Sequence, residues 1–171
     1  MATSNSPIQK ILHNRNFRLL WIGQGASLLG DQFELIAAPW LVLKLTHDPL
    51  ALGFVLALSS IPRALFMLVG GAITDRFSAR NVMLISDILR LGLTAIMAFL
   101  IFTGTIQTWV LYVFAFLFGL VSGFFNPASS SIVPYIIGKK HLSTGNSLIQ
   151  GTAQMTSFTG PVLVGGLIAL F

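Results

Sequence analysis

Residues Trp109–Val133 read WVLYVFAFLFGLVSGFFNPASSSIV, 25 in succession without a charged side chain. A helix rises about 1.5 Å per residue, and a bilayer core of ~30 Å takes about 20 residues to cross. This stretch is long enough, and four others match it: Leu19–Leu43, Leu50–Ile73, Val82–Thr103 and Asn146–Phe171. Hydrophobic residues make up 54% of the 171, charged residues only 9%, and mean hydropathy is +0.83. A water-soluble domain carries about a quarter charged residues, so too little polar surface is present to cover a globule in water. The expectation is an all-α membrane protein of about five transmembrane helices. Residues 1–171 then form one transmembrane bundle in a lipid bilayer, with no separate soluble domain.

The connecting segments alternate in basic content. Lys10, Arg15 and Arg18 precede the first span, Arg76 and Arg80 lie between the second and third, and Lys139 and Lys140 lie between the fourth and fifth. The first connector, Lys44–Pro49, holds one Lys, and the third, Gly104–Thr108, holds none. Seven basic residues therefore fall on one side and one on the other. By the positive-inside rule the N-terminus is cytoplasmic and the odd connectors are outside. Trp109 and Tyr112 suit an interfacial aromatic belt. The localisation expected is the cell membrane, plasma or inner, as a multi-pass protein.

Several other classes fall away. The net charge of +5 and the pI near 10.3 are compatible with nucleic-acid binding. The basic residues, however, sit beside apolar spans and form no stripe with interleaved aromatics, so no nucleic-acid partner is expected. The first apolar run exceeds the roughly 7–15 residues of a secretory core and contains Asp31 and Glu34, so it reads as a retained span. There is no cysteine, and His13, His47 and His141 fall in three separate polar segments without metal-ligand spacing. No metal, no cofactor and no nucleophile–base set is expected, hence no enzyme.

Short connectors imply that consecutive helices pack as antiparallel neighbours. Gly119 and Gly123 form a small-xxx-small pair suited to close helix contact in lipid, and Gly160, Gly165 and Gly166 offer the same in the fifth span. Pro39, Pro62 and Pro161 sit inside spans, and each removes a backbone hydrogen bond that neighbouring groups must replace. Pro127 and Pro134 predict a bent or frayed end to the fourth span.

Charges inside spans carry the functional signal. Asp31 and Glu34, three apart, share a face near the middle of the first span. A charge at the bilayer centre costs at least about 2.5–3.5 kcal/mol on insertion scales. Burial and a like-charged neighbour both raise a carboxyl pKa. The pair is thus suited to hold and release a proton, or to receive a cationic substrate. Arg63, just past the midpoint of the second span, is the expected counter-charge at similar depth. Asp87 and Arg90 read as an early-turn pair near the cytoplasmic face, neutralising one another or snorkelling.

Between the second and third spans the chain reads Gly71-Ala-Ile-Thr-Asp75-Arg76-Phe-Ser78-Ala79-Arg80. This resembles the signature loop of the major facilitator superfamily, G-x-x-x-D-R-x-G-R/K-R/K, at Gly71, Asp75, Arg76 and Arg80. Ser78 stands where that pattern has Gly, and Ala79 replaces one basic residue. Because Ser tolerates left-handed backbone less well than Gly, a different turn is expected. Gly160-Pro161-Val-Leu-Val-Gly165-Gly166 resembles the exporter-associated G-P-x-x-G-G, with one extra residue before the glycine pair. Phe125-Asn126-Pro127-Ala128 and the segment from Leu142 to Ser147 also resemble the drug- and siderophore-exporter branch.

The resemblance implies a partial N-terminal six-helix half of a major facilitator fold, two such halves rocking about a midplane site. It implies secondary active transport by alternating access: proton-coupled efflux of a small-molecule substrate. The loop becomes a cytoplasmic gate of Gly71, Asp75, Arg76 and Arg80, and Gly160, Pro161, Gly165 and Gly166 a helix-packing motif. Family members have about twelve spans, so the chain reads as a fragment lacking its sixth helix and C-terminal half and unable to transport alone. The alternative is a non-transporting sensor or assembly partner on the same scaffold, whose intramembrane charges only pair with one another.

Overall fold

A computed structural model describes the backbone of residues 7–170, and the side chains of all of these except Pro7, Lys10, Asp75 and Lys139. Among the described residues the chain is helical with no strand. Helix α1 spans Pro7–His13, α2 Arg15–Thr46, α3 Pro49–Arg76, α4 Ala79–Phe102, α5 Thr108–Ile137 and α6 Leu142–Ala169, with a 3-10 turn at Lys139–His141 before the last. Four helices are long and apolar enough to cross a membrane: α2, α3 through Thr74, α4 and α5. The fifth expected span, α6, has the length at 28 residues. Its first half is diluted by Ser143, Asn146, Ser147, Gln150 and Gln154, and it falls short on apolarity.

The helix ends follow local chemistry. Asn14 starts α2: its Oδ1 accepts from the backbone N–H of Asn16 at 3.0 Å and of Phe17 at 3.4 Å. Its amide Nδ2 donates to the Ile136 carbonyl at 3.1 Å, satisfying an acceptor in the last turn of α5. Asp48 caps α3 through Leu50 N–H at 2.8 Å, with Pro49 at the first helical position. Gly104 and Gly138, after α4 and α5, adopt φ of +67° and +69°, where glycine escapes the penalty a side chain would meet.

One expectation is corrected here. Helix α5 is neither broken at Pro127 nor frayed at Pro134, and its hydrogen-bonded turns run on to Ile137. Each proline removes one N–H donor, and the turn after Pro134 is closed by its carbonyl, which accepts from Gly138 N–H at 3.1 Å. The fourth connector accordingly shrinks from the expected Pro134–Gly145 to residues 138–141. At the motif loop, Ser78 has φ −57° and ψ 124°, extended backbone that needs no glycine.

The described chain forms two compact units. One is the chain up to Ile36 together with Ser131 onward; the other is Ala37–Ser130. In the first, Phe17 lies by Gly145, Trp21 Nε1 donates to Thr152 Oγ1 at 2.7 Å, and Gln32 packs on Gly160. Residue numbers rise together along the contact, so α2 and α6 lie side by side and parallel. In the second unit Phe54 meets Tyr112, Ser59 meets Gly119, Phe66 meets Phe124, and Gly70 meets Pro127. These numbers rise together too, so α3 and α5 are parallel. Consecutive helices meet, as α3 does α4 and α4 does α5, and close approaches also join helices two and four apart, α3 with α5 and α2 with α6. The cause is where glycine falls. A methyl group on Gly123 would lie 2.8 Å from Phe66 Cβ and 3.0 Å from the Arg63 carbonyl oxygen, and one on Gly119 would overlap the Ser59 carbonyl.

Half of the apolar window of α5 is buried (50%), against 11% or less for α2, α3 and α4, so α5 is the enclosed helix. Val42, Ala51, Val55, Leu111 and Ala115 form the core at the α2–α3 turn. Elsewhere large apolar side chains face outward: Leu68 is 80% exposed, Phe102 91% and Leu91 72%. An exterior of that kind suits hydrocarbon and not water.

Candidate functional site: charges and small residues within the helices

Asp31 and Glu34 sit midway along α2, both half-buried, and both engaged in polar contacts within the structure. Gln32, between them, lies against Gly160 of α6. A methyl group on Gly160 would come within 2.7 Å of Gln32 Cβ. The Gly-Pro motif thus meets α2 at the residue between the two acids. Only Gly160 takes part: Pro161 is exposed, and a methyl group on Gly165 or Gly166 would meet no described atom within 4 Å.

Sequence reasoning missed the continuation of that acidic face. Gln24, Ser27, Asp31 and Glu34 fall at steps of three, four and three, one side of a helix, and all are half-buried. Gln24 Oε1 is buried and accepts no hydrogen bond among the described residues. A buried amide oxygen without a donor is uncommon and calls for a water or a ligand group. The heptad spacing was visible in the sequence, but without burial Gln24 and Ser27 look like ordinary polar residues.

In the other unit, Arg63 is half-buried at the middle of α3, and its Nε is buried without a hydrogen-bond partner among the described residues. Arg90 differs from expectation. Because α4 begins at Ala79, Arg90 and Asp87 lie near its middle and not in its first turns. Arg90 Nη2 donates to the fully buried Ser122 hydroxyl at 2.7 Å, and its guanidinium stacks 4.9 Å from the Phe125 ring centre. A cation so held does not snorkel; it ties α4 to α5 inside the bundle.

At the signature loop, Arg76 and Arg80 are exposed, and the Asp75 side chain lies outside the described ones. Phe77 closes α3 in extended conformation, its N–H donating to the Ile73 carbonyl at 2.8 Å. Gly71 meets no described atom within 4 Å where a side chain would stand, whereas Gly70 is clasped by Phe124 Cα, Pro127 Cγ and the Gly123 carbonyl oxygen. That oxygen is the one Pro127 leaves without its helical donor, so the glycine approaches where an acceptor is free.

Apolar helices of spanning length, a lipid-suited exterior and charges held inside the bundle define a polytopic α-helical membrane protein. A family model of the major facilitator type, described as transmembrane secretion effector, matches residues 4–171. The chain belongs to that family. It is 30% identical over 141 residues to the uncharacterised MFS-type transporter YkuC of Bacillus subtilis (strain 168), covering 82% of this chain and 32% of that protein. It is 28% identical to the multidrug efflux pump Tap of Mycolicibacterium fortuitum, with 82% and 36% covered. It is 26% identical to the staphyloferrin A transporter of Staphylococcus aureus (strain NCTC 8325 / PS 47), with 84% and 36% covered. The chain thus spans about a third of the length of these relatives. No solved structure matches it significantly.

Proposed function

We propose that this chain is the N-terminal part of a secondary active transporter that exports a small molecule by alternating access, driven by protons. The observation that carries the proposal is the pair Asp31 and Glu34, half-buried at the centre of a helix apolar enough to span the bilayer. Two acids on one face of a spanning helix offer a carried proton two neighbouring acceptors. Opening the site to one side or the other then couples proton release to substrate movement. Arg63 is the counter-charge that sets how readily that proton leaves. Arg76 and Arg80, exposed beside Asp75, form with Gly71 a latch at the cytoplasmic face, engaged in one gating state and released in the other. In this scheme the N-terminus is cytoplasmic, the bundle resides in the cell membrane, and a C-terminal half supplies the rest of the pathway.

The experiment is uphill transport by the full-length protein in proteoliposomes under an imposed pH gradient. Asp31→Asn combined with Glu34→Gln abolishes proton-driven accumulation while leaving expression and size-exclusion profile intact. Undiminished accumulation by that variant defeats the assignment. Absence of accumulation by the unaltered full-length protein would favour instead a sensor or assembly partner on the same scaffold, a reading supported by the contacts both acids already make within the structure.

A further inference from the structure

The net charge of +5 is not spread along the chain. Lys44, Arg63, Arg76, Arg80 and Arg90 are equalled in number by Asp31, Glu34, Asp48, Asp75 and Asp87, which are all the acids of the sequence. The other basic residues are Lys10, Arg15, Arg18, Lys139 and Lys140. No acid precedes Asp31 and none follows Asp87, so two short segments carry the whole excess.

The fold brings those segments together at one end of one unit. Asn14 Nδ2 donates to the Ile136 carbonyl at 3.1 Å, and a methyl group on Gly145 would lie 3.6 Å from Phe17 Cε2. Helix α1 packs on α6, with Ile11 only 2% exposed and Phe17 fully buried. The backbone that carries Arg15, Arg18 and Lys140 is thus fixed by packing and by a capping amide, while the three side chains are exposed. Cations on a preorganised platform lose less freedom on binding an anion than cations on a mobile tail.

The surroundings point to lipid. Arg15 and Leu19, and Arg18 and Ile22, are four apart and share faces of α2. Leu19 is 61% and Ile22 66% exposed, so each guanidinium stands about one helical turn, ~5.4 Å, beyond an apolar side chain that faces hydrocarbon. That is headgroup depth. Tyr135, in the last turns of α5, is 87% exposed, as suits a ring at the membrane–water boundary. A guanidinium fits a phosphodiester with two parallel hydrogen bonds as well as charge, and no carboxylate of these segments competes for it.

We infer that Arg15, Arg18 and Lys140 form a binding surface for anionic phospholipid headgroups, joining the start of α2 to the turn between α5 and α6. In the scheme proposed above this surface meets the cytoplasmic leaflet. The inference rests on the membrane setting alone and not on transport, so loss of proton-driven flux leaves it standing.

Asn16 is exposed between the two arginines, and the chain has no cysteine. The full-length protein, with any cysteine outside this chain replaced, carries Asn16→Cys labelled with a fluorophore and is reconstituted in phosphatidylcholine vesicles. The quenchers are phosphatidylglycerol and phosphatidylcholine, each with a nitroxide high on one acyl chain. Each basic residue near an anionic headgroup contributes roughly a fivefold preference, so half-maximal quenching is expected at an at least about tenfold lower fraction of labelled phosphatidylglycerol than of labelled phosphatidylcholine. Unlabelled phosphatidylglycerol relieves it. Arg15→Gln combined with Arg18→Gln and Lys140→Gln removes the preference. Arg76→Gln with Arg80→Gln, which removes basic charge elsewhere, keeps it. The charge-conserving Arg15→Lys, Arg18→Lys and Lys140→Arg protein also keeps most of it. Equal quenching by the two lipids in the protein with native basic residues overturns the inference whether or not the glutamine variant folds. A preference that survives the glutamine substitutions, or is lost with Arg76 and Arg80, overturns it too, by placing the attraction in the general charge of the leaflet-facing surface.

Discussion

At the residue scale the membrane setting makes neighbouring glycines unequal. Gly70→Ala places a methyl group 2.8 Å from the Gly123 carbonyl oxygen and 3.0 Å from Pro127 Cγ, whereas Gly71→Ala meets open space. Overpacking of this kind costs about 1–3 kcal/mol, and a helical Gly→Ala without a clash gains up to about 1 kcal/mol of propensity. Thermal unfolding of purified protein in detergent is expected to show Gly70→Ala less stable than wild type and Gly71→Ala equal or slightly more stable. Ser122→Ala probes the other buried contact. It leaves Arg90 Nη2 without its 2.7 Å acceptor and is expected to lower stability by about 1–3 kcal/mol in the same assay. The presence of Gly in pairs was readable from the sequence. Which member of Gly70-Gly71 meets α5 was not, because that depends on the rotation of α3 about its axis. Arg90 was misplaced for a related reason: apolar content marks where a helix enters lipid, while α4 starts three residues earlier, at Ala79.

At the scale of the element, Asn14 links two helix ends with one side chain. Its oxygen caps α2 and its nitrogen holds the last turn of α5. Asn14→Ala loses both and is expected to cost about 1–2 kcal/mol. Asn14→Asp keeps the capping oxygen and loses the donor to Ile136, so it should fall between alanine and wild type. Unfolding midpoints of the three proteins check the order, and an aspartate no better than alanine would place all the effect in the α5 contact. The helices themselves were legible, since long apolar runs admit no other structure in lipid. Their ends were less so. The run Ala128–Val133 between two prolines suggested a bend or fraying, but the helix runs through both to Ile137, its neighbours holding the chain helical where the prolines remove donors.

At the scale of the whole molecule, the alternation of basic connectors and the parallel packing of helices an even number apart tell one story. Helices two or four apart in a chain that crosses a bilayer at each step must run the same way. Both α2 with α6 and α3 with α5 do so through direct contacts within their own units. The acidic face of α2 was half legible: two carboxylates announce themselves in an apolar run, but their extension to the buried Gln24 oxygen required the fold. The most direct measurement concerns the two ends of α5. Thr105 and Lys140 are exposed, one before and one after that helix, and the chain has no other thiol. Thr105→Cys and Lys140→Cys are treated, in intact cells, with an impermeant maleimide. A transmembrane α5 with its basic connector inside predicts that Thr105→Cys labels at once and Lys140→Cys only after permeabilisation. Labelling of both from the same side would contradict a membrane-spanning α5 and, with it, the transport function built on the bundle.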